Sequence, residues 1–119
     1  MTRKAQMGFF DEYKEVGGNY IGAAEKAILM EGGVPFPILS VAMDEGNKYG
    51  PRYAALAIIP EGVPDVTPGE RTITFPTGTV ESRDRMLAQM MEYLDRPDAD
   101  DVVVKLEKVG NSILIRKAA

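Results

Sequence analysis

The hydrophobic positions of this chain change period several times, and each change marks an element. From Asn19 onward, Tyr20, Ile21, Ala24, Ala27 and Ile28 fall on one face of a helix. Asn19 can cap its first turn, and Gly32-Gly33 can stop it. The period then shortens to two. In VPFPILSVAMDE (34–45), Phe36, Ile38, Ser40 and Ala42 alternate with Leu39, Val41 and Met43, predicting a strand partly covered on both sides. Pro35 and Pro37 confine its start to a sheet edge. GNKYGP (46–51) reads as a turn. RYAALAIIP (52–60) reads as a second strand, its alanines notwithstanding, because it is short and ends at Pro60. EGVPDVTPGE (61–70) is a loop by its Pro, Gly and Asp content.

The alternation resumes in RTITF (71–75), with Thr72 and Thr74 on one side and Ile73 and Phe75 on the other. From Val80 to Leu94 the period is helical again, with Met86, Leu87, Met90, Met91 and Leu94 as the apolar face. Thr79 is the expected N-cap, and Glu81 suits the first turn. Val102, Val104 and Leu106 then alternate with Val103, Lys105 and Glu107. Gly110-Asn111 is a tight turn into a last strand carrying Ile113 and Ile115.

After a leading arm and helix (1–33), the order is therefore strand, strand, strand, helix, strand, strand over 34–119. That is the order of an OB-fold, a five-stranded Greek-key barrel of β-β-β-α-β-β type. Other small α+β sheets share it. Nothing divides the chain into further domains, and its 119 residues suit one core. Phe9 and Phe10 in an otherwise polar arm suggest docking on a second copy, as a homodimer or higher homo-oligomer.

Composition narrows the chemistry. The chain has no Cys and no His, which removes the usual zinc, copper and iron ligands and any Ser-His or Cys-His triad. No cofactor is expected, and an enzyme is the least favoured class. GGNYIG lacks the ending of a phosphate-binding loop. Pro64-Asp65 and Pro97-Asp98 lack the acid-x-lysine of a metal-dependent nuclease core. VGNSILIR is like the swapped-hairpin DNA-binding modules of antitoxins, which continue into more strands. The absence of cysteine, of an apolar leader and of an apolar run long enough for a membrane span predicts a cytoplasmic setting without membrane contact.

Charge is unevenly distributed. Residues 81–101 carry seven acids against three arginines, whereas 102–119 carry Lys105, Lys108, Arg116 and Lys117 against Glu107. The formal total of −4 thus conceals an acidic segment and a basic one.

The chain resembles the small single-stranded-DNA-binding proteins of tailed bacteriophages, especially those of actinobacterial hosts. The resemblance lies in GGNYIGAAEK, PFPILSV, KYGPRY and VESRDRMLAQMMEYL, and in the hairpin VVVKLEKVGNSILIRKA, spanning about 17–117. It implies an OB-fold and sequence-tolerant binding of single-stranded DNA in phage replication or recombination. The long tail with an acidic tip found in the bacterial type is lacking, so recruitment of enzymes through such a tail is not expected.

An OB-fold binds oligonucleotides on the face of strands two and three and with the loops joining strands one to two and four to five. Single strands need aromatic platforms and cations. Lys48, Tyr49, Arg52 and Tyr53 fall at the first loop, Arg71 opens the third strand, and Lys105, Lys108 and Arg116 flank the second loop. These eight are the expected DNA contacts. Tyr49 reads equally as a turn residue, and Tyr53 as core, since it alternates with Ala55 and Ala57. Gly50-Pro51 sets the turn. Tyr20 and Phe75 read as structural. Arg83 and Arg85 are expected to solvate their helix beside Glu81 and Asp84. A contrasting expectation is a non-enzymatic interaction or structural phage module, a virion component or host-enzyme inhibitor, using the acidic 81–101 surface.

Overall fold

The computed structural model describes residues 19–45, 48 and 50–118. In chain order its elements are α1 (Ala23–Glu31), β1 (Phe36–Asp44), β2 (Arg52–Ile59), β3 (Gly69–Pro76), α2 (Glu81–Leu94), β4 (Val102–Val109) and β5 (Ser112–Lys117). The expected arm with Phe9 and Phe10 lies outside the described residues.

The five strands form one antiparallel sheet in the order β3-β2-β1-β4-β5. β3 and β5 are its two edges and do not pair with each other, so the expected closed barrel is an open sheet. Side chains from both helices occupy the gap. Lys26 of α1 donates from Nζ to the Thr74 carbonyl of β3 at 2.7 Å. Arg83 of α2 donates to Ile113 O of β5 at 2.7 Å and to Pro76 O of β3 at 3.2 Å. Edge-strand carbonyls that a barrel would satisfy by strand pairing are satisfied here by cations, as buried acceptors require.

The α1 start differs from the expectation. Ile21 N–H donates to Thr72 O at 2.8 Å, and Tyr20 forms an isolated parallel bridge with Thr72. Residues 20 and 21 thus extend along the β3 edge, and the helix begins only at Ala23. Gly22 holds the N-cap position, with no side-chain cap. At α2 the cap is Val80 rather than Thr79, again without a side-chain cap bond. Asp84 instead accepts from Gly78 N–H at 2.8 Å, which fixes the loop ahead of the helix.

In β1 the simple alternation fails. Phe36, Ile38 and Val41 are buried, while Ser40 and Ala42 are exposed. The cause is a register shift against β2 between Ile38 and Ser40, which moves the inward side from even to odd positions. Pro37 sits opposite Val103 of β4, and pairing with β2 begins only at Ile38. Proline has no N–H to give to a second ladder. The β4–β5 hairpin turns as expected at Gly110, whose φ of 62° suits glycine, and Val109 faces Ser112 across it.

The core lies between the sheet's inner face and the two helices. Phe36, Ile38, Ile59, Ile73, Phe75 and Leu106 meet Leu29 of α1 and Leu87 of α2, all fully buried. Leu29 joins the same cluster as the strand residues, so α1 and the sheet share one core. On α2, Leu87 and Met90 face inward, whereas Met86 is 41% exposed and off the expected apolar face.

Candidate nucleic-acid interface

The strand phases sort the side chains of β1, β2 and β3 onto two faces. Tyr53, Ala55, Ala57 and Ile59 of β2 point into the core, so Arg52, Ala54, Leu56 and Ile58 line the outer face. Register places Asp44 opposite Arg52, Ala42 opposite Ala54 and Ser40 opposite Leu56 on the β1 side. On the β3 side Thr74 faces Ala54, and Thr72 faces Leu56. The result is a surface of small, hydroxyl and aliphatic side chains, with Glu70, opposite Ile58, at one end and Asp44 and Arg52 at the other.

The Asp44–Arg52 end is the site's distinctive feature. Arg52 Nε donates to Asp44 Oδ2 at 2.8 Å, and both side chains are about one-third exposed. The same guanidinium lies over the Tyr20 ring, its carbon 5.4 Å from the centroid. Tyr20 is 37% exposed and arrives from outside the sheet, on the segment added to the β3 edge. An aromatic ring and a cation thus stand side by side at the mouth of the β1–β2 connection. Lys48 is exposed in that connection, and Gly50, with φ 104°, turns the chain into β2. Tyr49 lies outside the described residues.

The other expected contacts are placed differently. Tyr53 is a core residue, 8% exposed, opposite Phe75. Arg71 is 5% exposed because it shares the inward phase of Ile73 and Phe75. Its guanidinium makes a two-pronged pair with Glu25 of α1, at 2.7 and 2.9 Å, and also donates to Thr67 O and Tyr20 O. The Arg71 bonds hold Glu25 well below the usual carboxylate range, at about 2. Arg71 therefore ties α1 and the 20–21 segment to the sheet and presents no donor face to a phosphate.

Lys105 and Arg116 face each other across β4 and β5, and Arg116 Nε donates to Glu107 at 3.0 Å. Lys108 is exposed near the hairpin end, opposite Ile113. This hairpin joins β1 only at Phe36–Ile38, whereas Arg52 and Lys48 follow the Asp44 end. The expected cations thus form two groups at opposite ends of β1, separated by roughly 20 Å of strand at about 3.3 Å per residue.

Two buried structural cations escaped the sequence reading. Arg83 is 5% exposed and does not solvate its helix. Its phase with Leu87, one turn on, was the available signal. Lys26 sits with its Nζ 5.0 Å from the Phe75 ring centroid, and burial beside Arg83 lowers its pKa to about 8. No sequence pattern marks it. Arg85 does pair with Glu81, at an exposed 3.4 Å.

Among the described residues, no group of three or more carboxylates converges as a metal site, and no helix is long and apolar enough to cross a membrane. Compared with known proteins, the chain matches no family model, no curated protein and no solved structure.

Proposed function

We propose that the protein binds single-stranded DNA, without enzymatic activity, on the outer face of β1, β2 and β3. The observation that carries this reading is the Arg52–Tyr20 pair beside the β1–β2 connection. A π-surface and a guanidinium are the two groups that sequence-tolerant single-strand binding combines. The strand order β3-β2-β1-β4-β5, with α2 between β3 and β4, is compatible with an OB-type Greek key left open between β3 and β5. In that fold the β2–β3 face and the first loop are the ligand side. The resemblance to phage single-stranded-DNA-binding proteins points the same way, to a role in phage replication or recombination in the host cytoplasm.

In this reading Tyr20 replaces Tyr53 as the described base platform. Arg52 and Lys48 contact phosphates, and Tyr49 is a second platform. Arg71 leaves the set of contacts. Lys105, Lys108 and Arg116 form a separate basic patch on the hairpin, which a longer strand would reach. The test is a titration of fluorescent oligo(dT) at two salt concentrations. Binding that weakens with salt supports the reading, and absence of binding at low ionic strength rejects it.

A second reading, as a protein-interaction module, has one observation in its favour. Met86 is exposed on α2 beside a groove lined by Met90, Tyr93, Arg96 and Val102 and rimmed by Glu92. It requires a stable complex with a host protein, formed without oligonucleotide and lost on Met86→Glu.

A further inference from the structure

We propose that Asp44 occupies an anion site at Arg52, and that a DNA phosphate binds there by displacing it. This inference rests on the nucleic-acid reading above and assigns Asp44 the role of an internal competitor. Register places the two residues directly opposite, at the last pair of the β1–β2 ladder, with Nε and Oδ2 2.8 Å apart. Carboxylate and phosphate offer a guanidinium the same kind of acceptor pair.

Exposure distinguishes this pair from the Arg71–Glu25 pair. The side chains of Arg71 and Glu25 are 6% and 20% exposed, and several backbone groups close around them. Those of Arg52 and Asp44 are 28% and 31% exposed, so a ligand oxygen can reach the guanidinium as the carboxylate swings away. The Tyr20 ring beside Arg52 limits where the guanidinium can go, so it stays in place when its partner changes.

Local charge fits the same role. Asp44 and Glu45 offset Lys48 and Arg52 along this connection. Among the described residues of this connection the charges balance, and a phosphate gains full attraction only after Asp44 withdraws. In the wild-type protein the Asp44 carboxylate stays near the bound DNA and offsets one cation of the site, which flattens the salt dependence. Removing the carboxylate charge removes that offset.

The experiment compares wild type, Asp44→Asn and the Asp44→Asn/Arg52→Ala double variant of the full chain. Oligo(dT) affinity is measured across salt, and circular dichroism checks the fold. Asp44→Asn is expected to bind about fivefold tighter at low salt, with a log–log salt slope steeper by about 0.7, one single-strand phosphate. The double variant is expected to lose that gain. Weaker or unchanged binding by a folded Asp44→Asn overturns the proposal, because Asp44 would then serve only to orient Arg52. Inorganic phosphate, followed by the Arg52 Nε–H resonance, separates this proposal from the DNA reading. If phosphate shifts that resonance at lower concentration in Asp44→Asn while no oligonucleotide binds, the competitor role holds and the DNA reading falls. If phosphate moves the resonance in neither protein, the anion site is refuted.

Discussion

Lys26 and Arg83, on different helices, both lie over the ring of Phe75, at 5.0 and 5.1 Å from its centroid. Each also donates to a carbonyl of β3, and Arg83 reaches β5 as well. Two like charges share one buried aromatic because the backbone around it offers acceptors and the ring offers its negative face. This arrangement caps the open side of the sheet without strand pairing, from the side opposite the outer face of β1, β2 and β3.

Loss of the Arg83 guanidinium should be costly. Arg83→Ala leaves the Ile113 and Pro76 carbonyls without their donor, at about 1–3 kcal/mol for each group that stays buried. Urea unfolding should show a loss of about 3 kcal/mol. Arg83→Lys should recover only part of it, because one ammonium cannot reproduce the planar fork spanning both edges.

Lys26 should make stability rise in alkaline solution. Its folded pKa of about 8 lies below the ordinary 10.5, chiefly through burial. Between those values the unfolded chain holds a proton that the folded chain has released, so raising the pH favours folding. The gain begins near pH 8, is complete above about 10.5, and is on the order of 2 kcal/mol after allowance for partial solvent access. Denaturation of wild type and Lys26→Met across this range checks it, since the difference between the two proteins should change with pH.

Glu25 should govern the acid limb. Its carboxyl is held near 2 by the hydrogen bonds from Arg71, against an ordinary 4.5. Its contribution is present above pH 4.5 and is lost as the pH falls toward 2. Glu25→Gln leaves the Arg71 charge buried without its partner and should destabilise the protein by about 3 kcal/mol at pH 7. The same variant should show a shallower loss of stability on acidification, read from melting temperatures at several pH values.

At the outer face, Tyr20→Ala and Arg52→Ala should each weaken oligo(dT) binding while leaving the melting temperature within a few degrees of wild type. For Tyr20 the loss should be about tenfold, within the ~1–3 kcal/mol that stacking contributes per base. Alanine at Lys105, Lys108 or Arg116 should cost less on a short oligonucleotide, because these residues sit at the other end of β1. Arg71→Ala should instead unfold the protein more readily, since Arg71 ties α1 to β3.

β2, β3, β4 and the second helix were legible because their periods are clean. Gly110-Asn111 also announced its turn. Arg71 and Tyr53, expected among the contacts, are buried, and strand phase already placed both inward. Arg71 alternates with Thr72 and so shares the side of Ile73 and Phe75, and Tyr53 shares that of Ala55 and Ala57. The same lesson applies to Arg83, one turn before Leu87. Other features lay beyond local pattern. The β1 register shift depends on how β2 pairs with it, and no residue between Ile38 and Ser40 signals it. Tyr20 looked like part of a helix face because its spacing fits one. Tertiary hydrogen bonds, from Ile21 N–H to Thr72 O and from Arg71 to Tyr20 O, draw it onto the β3 edge and beside Arg52.

The most direct measurement is amide chemical-shift mapping of the full chain on addition of oligo(dT) at low salt. Binding on the outer face predicts the largest shifts at 20–21, 40–44, 52–56 and 72–74, with α2 unaffected. Shifts confined to 86–96, or no shifts at all, would contradict it.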